Sequence, residues 1–223
     1  MINITAKNLD DAWYQIIQAC YLEGIEYTIQ RGSFEQCKRK QLEAVAIEIQ
    51  FPYVRPLIPL MPEGSGLPSP CDIDYVESYL AYLMEDDVKC NESYTYGTSC
   101  KKQLPYVIDM LKNTPHTNQA CITVGTPESI KLSDPECLRL ITFKLINGKL
   151  NMSVVYRSWD AYCGMPANLA GLQLFKEYIC QEVGCIDGKI FAFSDGLHLY
   201  DYHYDLVRSR LHLDKFNNHD LSC

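Results

Sequence analysis

The residues of this sequence with the clearest chemical potential are one cysteine and one arginine. Cys137 carries a thiol, and Arg157 follows it by twenty residues. A thiol is a weak nucleophile near neutral pH unless a neighbouring positive charge favours its thiolate form. Arg157 is the obvious source of that charge, so we predict that Cys137 is a nucleophile and that Arg157 stabilises its thiolate.

A β-hairpin is expected to place these two side chains together. Residues 138–145 and 150–156 are apolar runs joined by Asn147-Gly148, a dipeptide typical of a two-residue hairpin turn. Antiparallel strands of similar length bring their outer ends together. The thiol lies just before the first strand and the guanidinium just after the second, so the sequence predicts that they are spatial neighbours.

Three short motifs with further polar side chains follow Cys137 in the sequence. They lie in Arg157-Ser158-Trp159-Asp160, in Gly164-Met165-Pro166-Ala167-Asn168 and in His198-Leu199-Tyr200. On an alternating segment, His198 and Tyr200 point to the same face. This arrangement favours a shared ligand over the structural role that a lone histidine usually has.

Together these motifs resemble the thymidylate synthase family. Pro-x-Cys before a strand, Arg-Ser-x-Asp, Gly-x-Pro-x-Asn and His-x-Tyr occur in the family's order and spacing over about sixty residues. The resemblance is greatest to the short archaeal members. It implies an α+β fold in which mixed β-sheets pack with helices around one central buried helix. It also implies a single catalytic domain over residues 1–223, a homodimer and a cytoplasmic location.

The resemblance implies a methyltransferase that converts 2'-deoxyuridine 5'-monophosphate (dUMP) to deoxythymidylate (dTMP). The Cys137 thiolate would add to carbon 6 of uracil and give carbanion character to carbon 5, which takes up a one-carbon unit. That unit and a hydride would both come from a methylene-tetrahydropterin co-substrate. The two candidates are 5,10-methylene-tetrahydrofolate and methylene-tetrahydromethanopterin. They differ mainly away from the reacting atoms, so the sequence leaves the choice open.

The nucleotide's phosphate and sugar have matching residues. By the resemblance, Arg31, Arg157 and Ser158 hold the phosphate, and His198 and Tyr200 hold the deoxyribose hydroxyl. Arg31 also precedes a glycine turn, where exposed backbone N–H groups can share the load of an anion.

The base and the pterin have matching residues as well. Asn168 offers a donor to O4 and an acceptor to N3–H of uracil, whereas a cytosine edge reverses both demands. A carboxylate there would favour cytosine, as in the related deoxycytidylate hydroxymethylases. By the same resemblance, Glu77 organises a water chain towards the pyrimidine carbonyl and Asp160 contacts the pterin.

One departure from the family concerns the phosphate. Many members carry two adjacent arginines that reach across the dimer to the partner's nucleotide, where this chain has Asn118-Gln119. Amide side chains donate hydrogen bonds but do not neutralise a dianion. Either the phosphate is bound more weakly, or Lys101, Lys102 or Arg139 substitutes for the lost charges.

Two other functions remain open at this point. A pyrimidine nucleotide hydroxymethylase, in which water captures the exocyclic methylene in place of hydride, shares nearly all of these residues. A non-catalytic nucleotide-binding protein on the same fold is the second alternative, and Cys137 argues against it.

Composition narrows the classes of partner. The 223 residues are 47% hydrophobic, which suits one substantial core, and the net charge of -8 disfavours binding to nucleic acid or anionic membranes. No apolar run reaches the roughly 20 residues that a membrane-spanning helix needs, so a soluble, unexported protein is expected. The eleven cysteines are expected to be free thiols. They include no Cys-x-x-Cys pair, so no metal site is predicted.

The coarse elements follow from periodicity and from turn residues. Helices are predicted at 9–24, at 73–84 with Asp72 as its cap, at 105–111 with Pro105 in the first turn, and at 167–183. Strands are predicted at 26–29, 42–51, 121–124 and 190–193, and an irregular loop rich in proline and glycine at 52–72.

Overall fold

The computed structural model describes residues 1–31, 34–88 and 94–213. Within them the strands are β1 (Ile2–Ala6), β2 (Ile25–Thr28), β3 (Lys38–Gln41), β4 (Val45–Ile49), β5 (Cys121–Thr123), β6 (Leu138–Ile146), β7 (Lys149–Tyr156), β8 (Trp159–Asp160), β9 (Ile186–Ser194) and β10 (Leu197–Tyr200). The α-helices are α1 (Leu9–Glu23), α2 (Ile73–Met84), α3 (Gly97–Asn113), α4 (Gly164–Val183) and α5 (Tyr204–Arg210). Residues 52–72 contain neither helix nor strand, as their proline and glycine content predicts.

The strands form two mixed sheets, which confirms the α+β fold. The larger sheet has the order β1-β4-β9-β7-β6-β5, and the smaller one has the order β2-β3-β10-β8. In the larger sheet β1/β4 and β7/β9 are parallel pairs, and the remaining pairs are antiparallel. Strand β10 continues almost directly from β9, so the chain passes from one sheet to the other next to the residues of interest.

Helix α4 is the central buried helix that the resemblance implies. It packs against α1, α2, α3 and the larger sheet, and its apolar side chains are buried on several sides. Lys176 also lies in this interior with no exposed surface, and its ammonium pairs with Asp187 at 2.8 Å. A buried charge is tolerated when it is paired in this way. The helix ends at Gly184, which adopts the left-handed conformation typical of a helix C-terminus.

The hairpin of β6 and β7 forms as predicted. Asn147 and Gly148 have φ angles of 51° and 75°, which is the positive pair that a type I′ turn requires. At the other end Leu138 lies opposite Tyr156. The residues that precede β6 and follow β7 are therefore neighbours.

Helix α3 differs from its prediction because it begins at Gly97 and contains Pro105 in its interior. A proline inside a helix removes one backbone hydrogen bond. Here the buried side chains Cys100, Leu104 and Val107 continue the apolar face across the proline, whose ring lies on the exposed side. Packing of that face outweighs the lost bond, so placing Pro105 in the first turn was wrong.

Strand β3 was missed, and β4 is shorter than predicted. The segment Lys38-Arg39-Lys40-Gln41 has no apolar residue, so it gives no periodic signal. It forms a strand because β2 and β10 flank it, and Arg39 lies opposite Tyr200 in the register. Among the described residues, no helix is both long and apolar enough to cross a membrane.

Candidate functional site

The open end of the hairpin brings the thiol and the guanidinium together, as predicted. The backbone N–H of Arg157 donates to the carbonyl of Cys137 at 2.9 Å. The Arg157 guanidinium donates from Nε to the Glu136 carbonyl at 3.1 Å, and it also donates to the Pro135 carbonyl. Its Nη2 pairs with the Asp134 carboxylate at 3.1 Å. One cation thus holds the whole segment that ends at the thiol.

Burial works against the thiolate in the free protein. Desolvation raises the pKa of the Cys137 thiol, and the nearby Asp134 carboxylate raises it further. The Arg157 charge and a hydrogen bond with the Tyr94 side chain lower the pKa, but by less. Because the net shift is upward, Cys137 is a thiol near neutral pH. Arg157 thus favours the thiolate, as predicted, but burial has the larger effect on the pKa of Cys137.

Seven of the nine predicted site residues line one cavity of about 230 Å³. They are Arg31, Cys137, Arg157, Ser158, Asp160, His198 and Tyr200. Residues far apart in the sequence meet here because β10 lies between β3 and β8 in the smaller sheet.

His198 has a hydrogen-bonding atom with no partner. Its Nδ1 lies 2.8 Å from the Gly196 carbonyl, which only accepts, so Nδ1 carries the proton. Burial lowers the pKa of His198, which keeps the ring neutral and leaves Nε2 as an acceptor. Nε2 is buried and finds no hydrogen-bond partner in the described part of the chain. A ligand hydroxyl in the cavity would satisfy it.

Arg39 is a site residue that sequence reasoning missed. It lines the cavity around Cys137 and also a neighbouring cavity of about 650 Å³, and both cavities share Arg31, Arg157 and Ser158 with it. Arg39 also lowers the pKa of His198 and opposes the upward shift at Tyr200. The available signal was the basic run Lys38-Arg39-Lys40, which reads as an ordinary exposed segment without its sheet partners.

The three cations that the sequence offered as substitutes do not reach these cavities. Lys101 pairs with Asp86 at 2.5 Å, and Arg139 pairs with Glu136 at 3.1 Å. Lys102 is exposed on α3, and it is not among the lining residues. None of the three therefore contributes charge to the cavities of its own chain.

Glu77 is not brought to the cavity, contrary to the prediction. It is exposed on α2. Residues two apart on a helix face different directions, and Tyr79 points inward instead. The Tyr79 hydroxyl lies 3.1 Å from the Tyr156 hydroxyl, at the end of β7 beside the site. Tyr79 and Tyr156 belong to a cluster of tyrosines that also contains Tyr82, Tyr94 and Tyr96.

Asn168 and Asp160 are fixed by neighbouring groups. Asp160 accepts from the backbone N–H groups of Tyr162, Cys163 and Gly164 at 2.9–3.2 Å, so it caps the start of α4. Asn168 is half-buried and is not among the residues lining either cavity. Its Oδ1 accepts from the indole N–H of Trp159 at 2.9 Å.

No group of three or more His, Cys, Asp or Glu side chains suited to a metal ion occurs in the described ranges 1–31, 34–88 and 94–213. The groups of the cavity that can take part in chemistry are the Cys137 thiol, the guanidinium groups and the His198 imidazole. A nucleophile beside an anion-binding wall suits addition to a substrate that carries a phosphate.

Comparisons with known proteins agree with this geometry. A family model described as thymidylate synthase matches residues 84–222. A protein of Methanosarcina acetivorans named "putative thymidylate synthase" is 29% identical over 213 residues, which cover 92% of this chain and 93% of that protein. A protein of Methanococcoides burtonii with the same name is 27% identical, with 92% of each chain covered. Thymidylate synthase of Listeria innocua is 32% identical over 151 residues, which cover 61% of this chain and 48% of that protein.

Proposed function

Because this chain belongs to the thymidylate synthase family, we propose that it converts dUMP to dTMP with a methylene-tetrahydropterin as co-substrate. Residues 1–223 would act as one catalytic domain. The observation that carries the proposal is the cavity in which the Cys137 thiol meets three guanidinium groups and the open Nε2 of His198. A nucleophile, an anion site and a hydroxyl acceptor are the groups that a nucleotide substrate needs.

Cys137 would supply the covalent step. Its sulfur bonds to carbon 6 of uracil, and the electron pair of the ring double bond moves to carbon 5 and O4. Carbon 5 then attacks the one-carbon unit and loses its proton, and the pterin nitrogen leaves with the electron pair of its bond to that carbon, so that an exocyclic methylene remains for the hydride to reduce. At the end of the reaction the sulfur leaves carbon 6 again, so the thiol is regenerated. The pterin supplies the one-carbon unit and the hydride that completes the methyl group.

The pterin has one matching acceptor in this cavity. Three of the roughly four acceptor positions of the Asp160 carboxylate are occupied by backbone N–H groups at the start of α4. The remaining position and its place in the cavity wall suit a ring N–H of the pterin.

The phosphate would be bound by Arg31, Arg39, Arg157 and Ser158. All four line both cavities, so they form one continuous polar wall. Among the described residues no ion pair involves Arg31 or Arg39, which leaves their charge available to an anion. We propose that Arg39 provides charge that many members of the family obtain from the paired arginines absent at Asn118-Gln119.

Replacing Arg39 should weaken phosphate binding specifically. A hydrogen bond to a charged group contributes about 1.5–3 kcal/mol, so Arg39→Met is expected to raise the dissociation constant of dUMP at least about tenfold. Deoxyuridine, which lacks the phosphate, should bind the variant and the wild type equally. Isothermal titration of both ligands measures the difference.

The matched control is Lys38→Met, because Lys38 lies on the same strand but pairs with Glu26 at 3.1 Å and lines neither cavity. It should leave the dUMP affinity unchanged. Equal weakening of dUMP and deoxyuridine in Arg39→Met would contradict a phosphate role.

The reaction itself is tested by the mass of the product. Purified protein is incubated with dUMP and each of the two methylene-pterins, and the nucleotide is analysed by mass spectrometry. A product in which a methyl group replaces one hydrogen of dUMP supports the proposal. A product that carries a hydroxymethyl group instead identifies the hydroxymethylase alternative. A covalent adduct with 5-fluoro-dUMP that survives denaturation would exclude a purely binding role.

A homodimer is proposed through the outer face of the larger sheet. Strands β7 and β9 place Val155 beside Phe193 and Ser153 beside Phe191 on this face, and Phe193 is 36% exposed. These side chains line an open groove of about 360 Å³. Covering such a face buries apolar surface in a symmetric contact.

Solution scattering at micromolar concentration is expected to give the mass of a dimer. Phe193→Glu should shift it towards the monomer, because a carboxylate would be buried without a partner. Ile186 lies on the same strand but outside the groove, so Ile186→Glu should leave the mass of the dimer unchanged. A monomeric wild-type protein would contradict the dimer.

A further inference from the structure

The side chain of Asn168 is held by a tryptophan on the neighbouring strand. The Trp159 indole N–H donates to Asn168 Oδ1 at 2.9 Å, and Trp159 is only 2% exposed. Its ring stacks on Tyr156 with centroids 4.2 Å apart and planes within 3° of parallel. Tyr156 is itself buried and hydrogen-bonded to the hydroxyl of Tyr79. These contacts hold the indole ring of Trp159 in one position.

This contact determines which way the amide is turned. An indole N–H only donates, so the amide atom that faces it must be the oxygen. Turning the amide by 180° would place its NH₂ group against another donor. A buried donor left without an acceptor costs about 1–3 kcal/mol. Trp159 therefore fixes the order of donor and acceptor that Asn168 presents.

That order decides between two pyrimidines. Uracil presents an acceptor at O4 and a donor at N3, and cytosine presents a donor at its amino group and an acceptor at N3. An asparagine free to turn can satisfy either edge, because its amide carries one donor group and one acceptor group. Asparagine alone therefore does not select uracil, whereas an asparagine locked in one orientation does.

Asn168 shares a face of α4 with Gly164, which lies close to Asp160. Gly164 is one helical turn earlier, and residues four apart share a helix face. A Cβ at Gly164 would lie 3.2 Å from the Cβ of Asp160, which lines the cavity around Cys137. The locked amide is thus on the face directed at that cavity wall.

We propose that Trp159 is a positioning residue that makes the site select uracil over cytosine nucleotides by locking the Asn168 amide. It contacts no substrate and acts through Asn168 alone. The inference rests on the proposed function, since it takes Asn168 as the residue that reads the base.

The test is the ratio of the dissociation constants for dCMP and dUMP. Trp159→Phe keeps an aromatic ring to stack on Tyr156 and removes the N–H donor together with the second ring of the indole. The ratio is expected to fall about tenfold, mainly through tighter binding of dCMP, since the amide can then turn. Tyr79→Phe perturbs the same cluster but leaves the indole bond in place, so its ratio should equal that of the wild type.

An unchanged ratio in a folded Trp159→Phe protein would overturn the inference. If wild-type protein does not bind dUMP at all, the proposed function fails instead, so the two failures are distinguishable. Should Trp159→Phe not fold, the indole proton of Trp159 can be followed by NMR, because the chain has two tryptophans. Its hydrogen exchange should accelerate in Asn168→Ala, and equal exchange rates would overturn the inference.

Discussion

Cys137→Ala is expected to lower the turnover of dUMP by at least about 10⁴-fold, as for loss of the nucleophile in other covalent mechanisms. The affinity for dUMP should change little, because the proposed contacts to phosphate and sugar come from other side chains lining the cavity. Turnover is measured by product mass, and affinity by titration. The variant should also form no adduct with 5-fluoro-dUMP that survives denaturation.

Cys121→Ala is the matched control, since Cys121 is a half-buried free thiol on β5 that lines neither cavity. It should keep the turnover and the adduct of the wild type. Retained turnover in Cys137→Ala would contradict the assignment of the nucleophile.

The neighbourhood of the nucleophile could be predicted from the sequence, but its ionisation could not. The Asn147-Gly148 turn sets the register of the hairpin, and this local signal is enough to pair Cys137 with Arg157. The pKa of Cys137 depends instead on burial and on Tyr94, which comes from a distant part of the chain. Side-chain burial is a tertiary property, so the opposing effects could be weighed only in the structure.

Arg39 was unpredictable for a related reason. An all-polar segment becomes a strand only through pairing with β2 and β10, and the partner of Arg39 in β10 is Tyr200. Such pairing over a long sequence separation leaves no periodic pattern in the segment itself. The prediction of α2 shows the complementary limit. Its bounds were correct, but Glu77, which was expected at the site, is exposed.

The second large effect is expected for Arg157→Met, which should lower kcat/KM for dUMP by about 10³-fold. Two charge-assisted hydrogen bonds to the phosphate would be lost, each contributing about 1.5–3 kcal/mol. The variant also releases the segment before Cys137, since the guanidinium binds the carbonyls of Pro135 and Glu136 and the Asp134 carboxylate. Arg157→Lys should restore little, because an ammonium does not reproduce the planar fork that spans these acceptors.

Alkylation of the thiol separates the electrostatic part of this effect from misfolding. The Arg157 charge lowers the pKa of Cys137 against the effect of burial, so its removal should raise that pKa further. Iodoacetamide should then modify Cys137 more slowly in Arg157→Met at every pH below the thiol pKa, as followed by peptide mass spectrometry. Asp134→Asn removes a charge that raises the same pKa, so it should accelerate the modification. Opposite changes in the two variants are expected from charge alone, whereas acceleration in both would indicate that the segment has simply become more accessible.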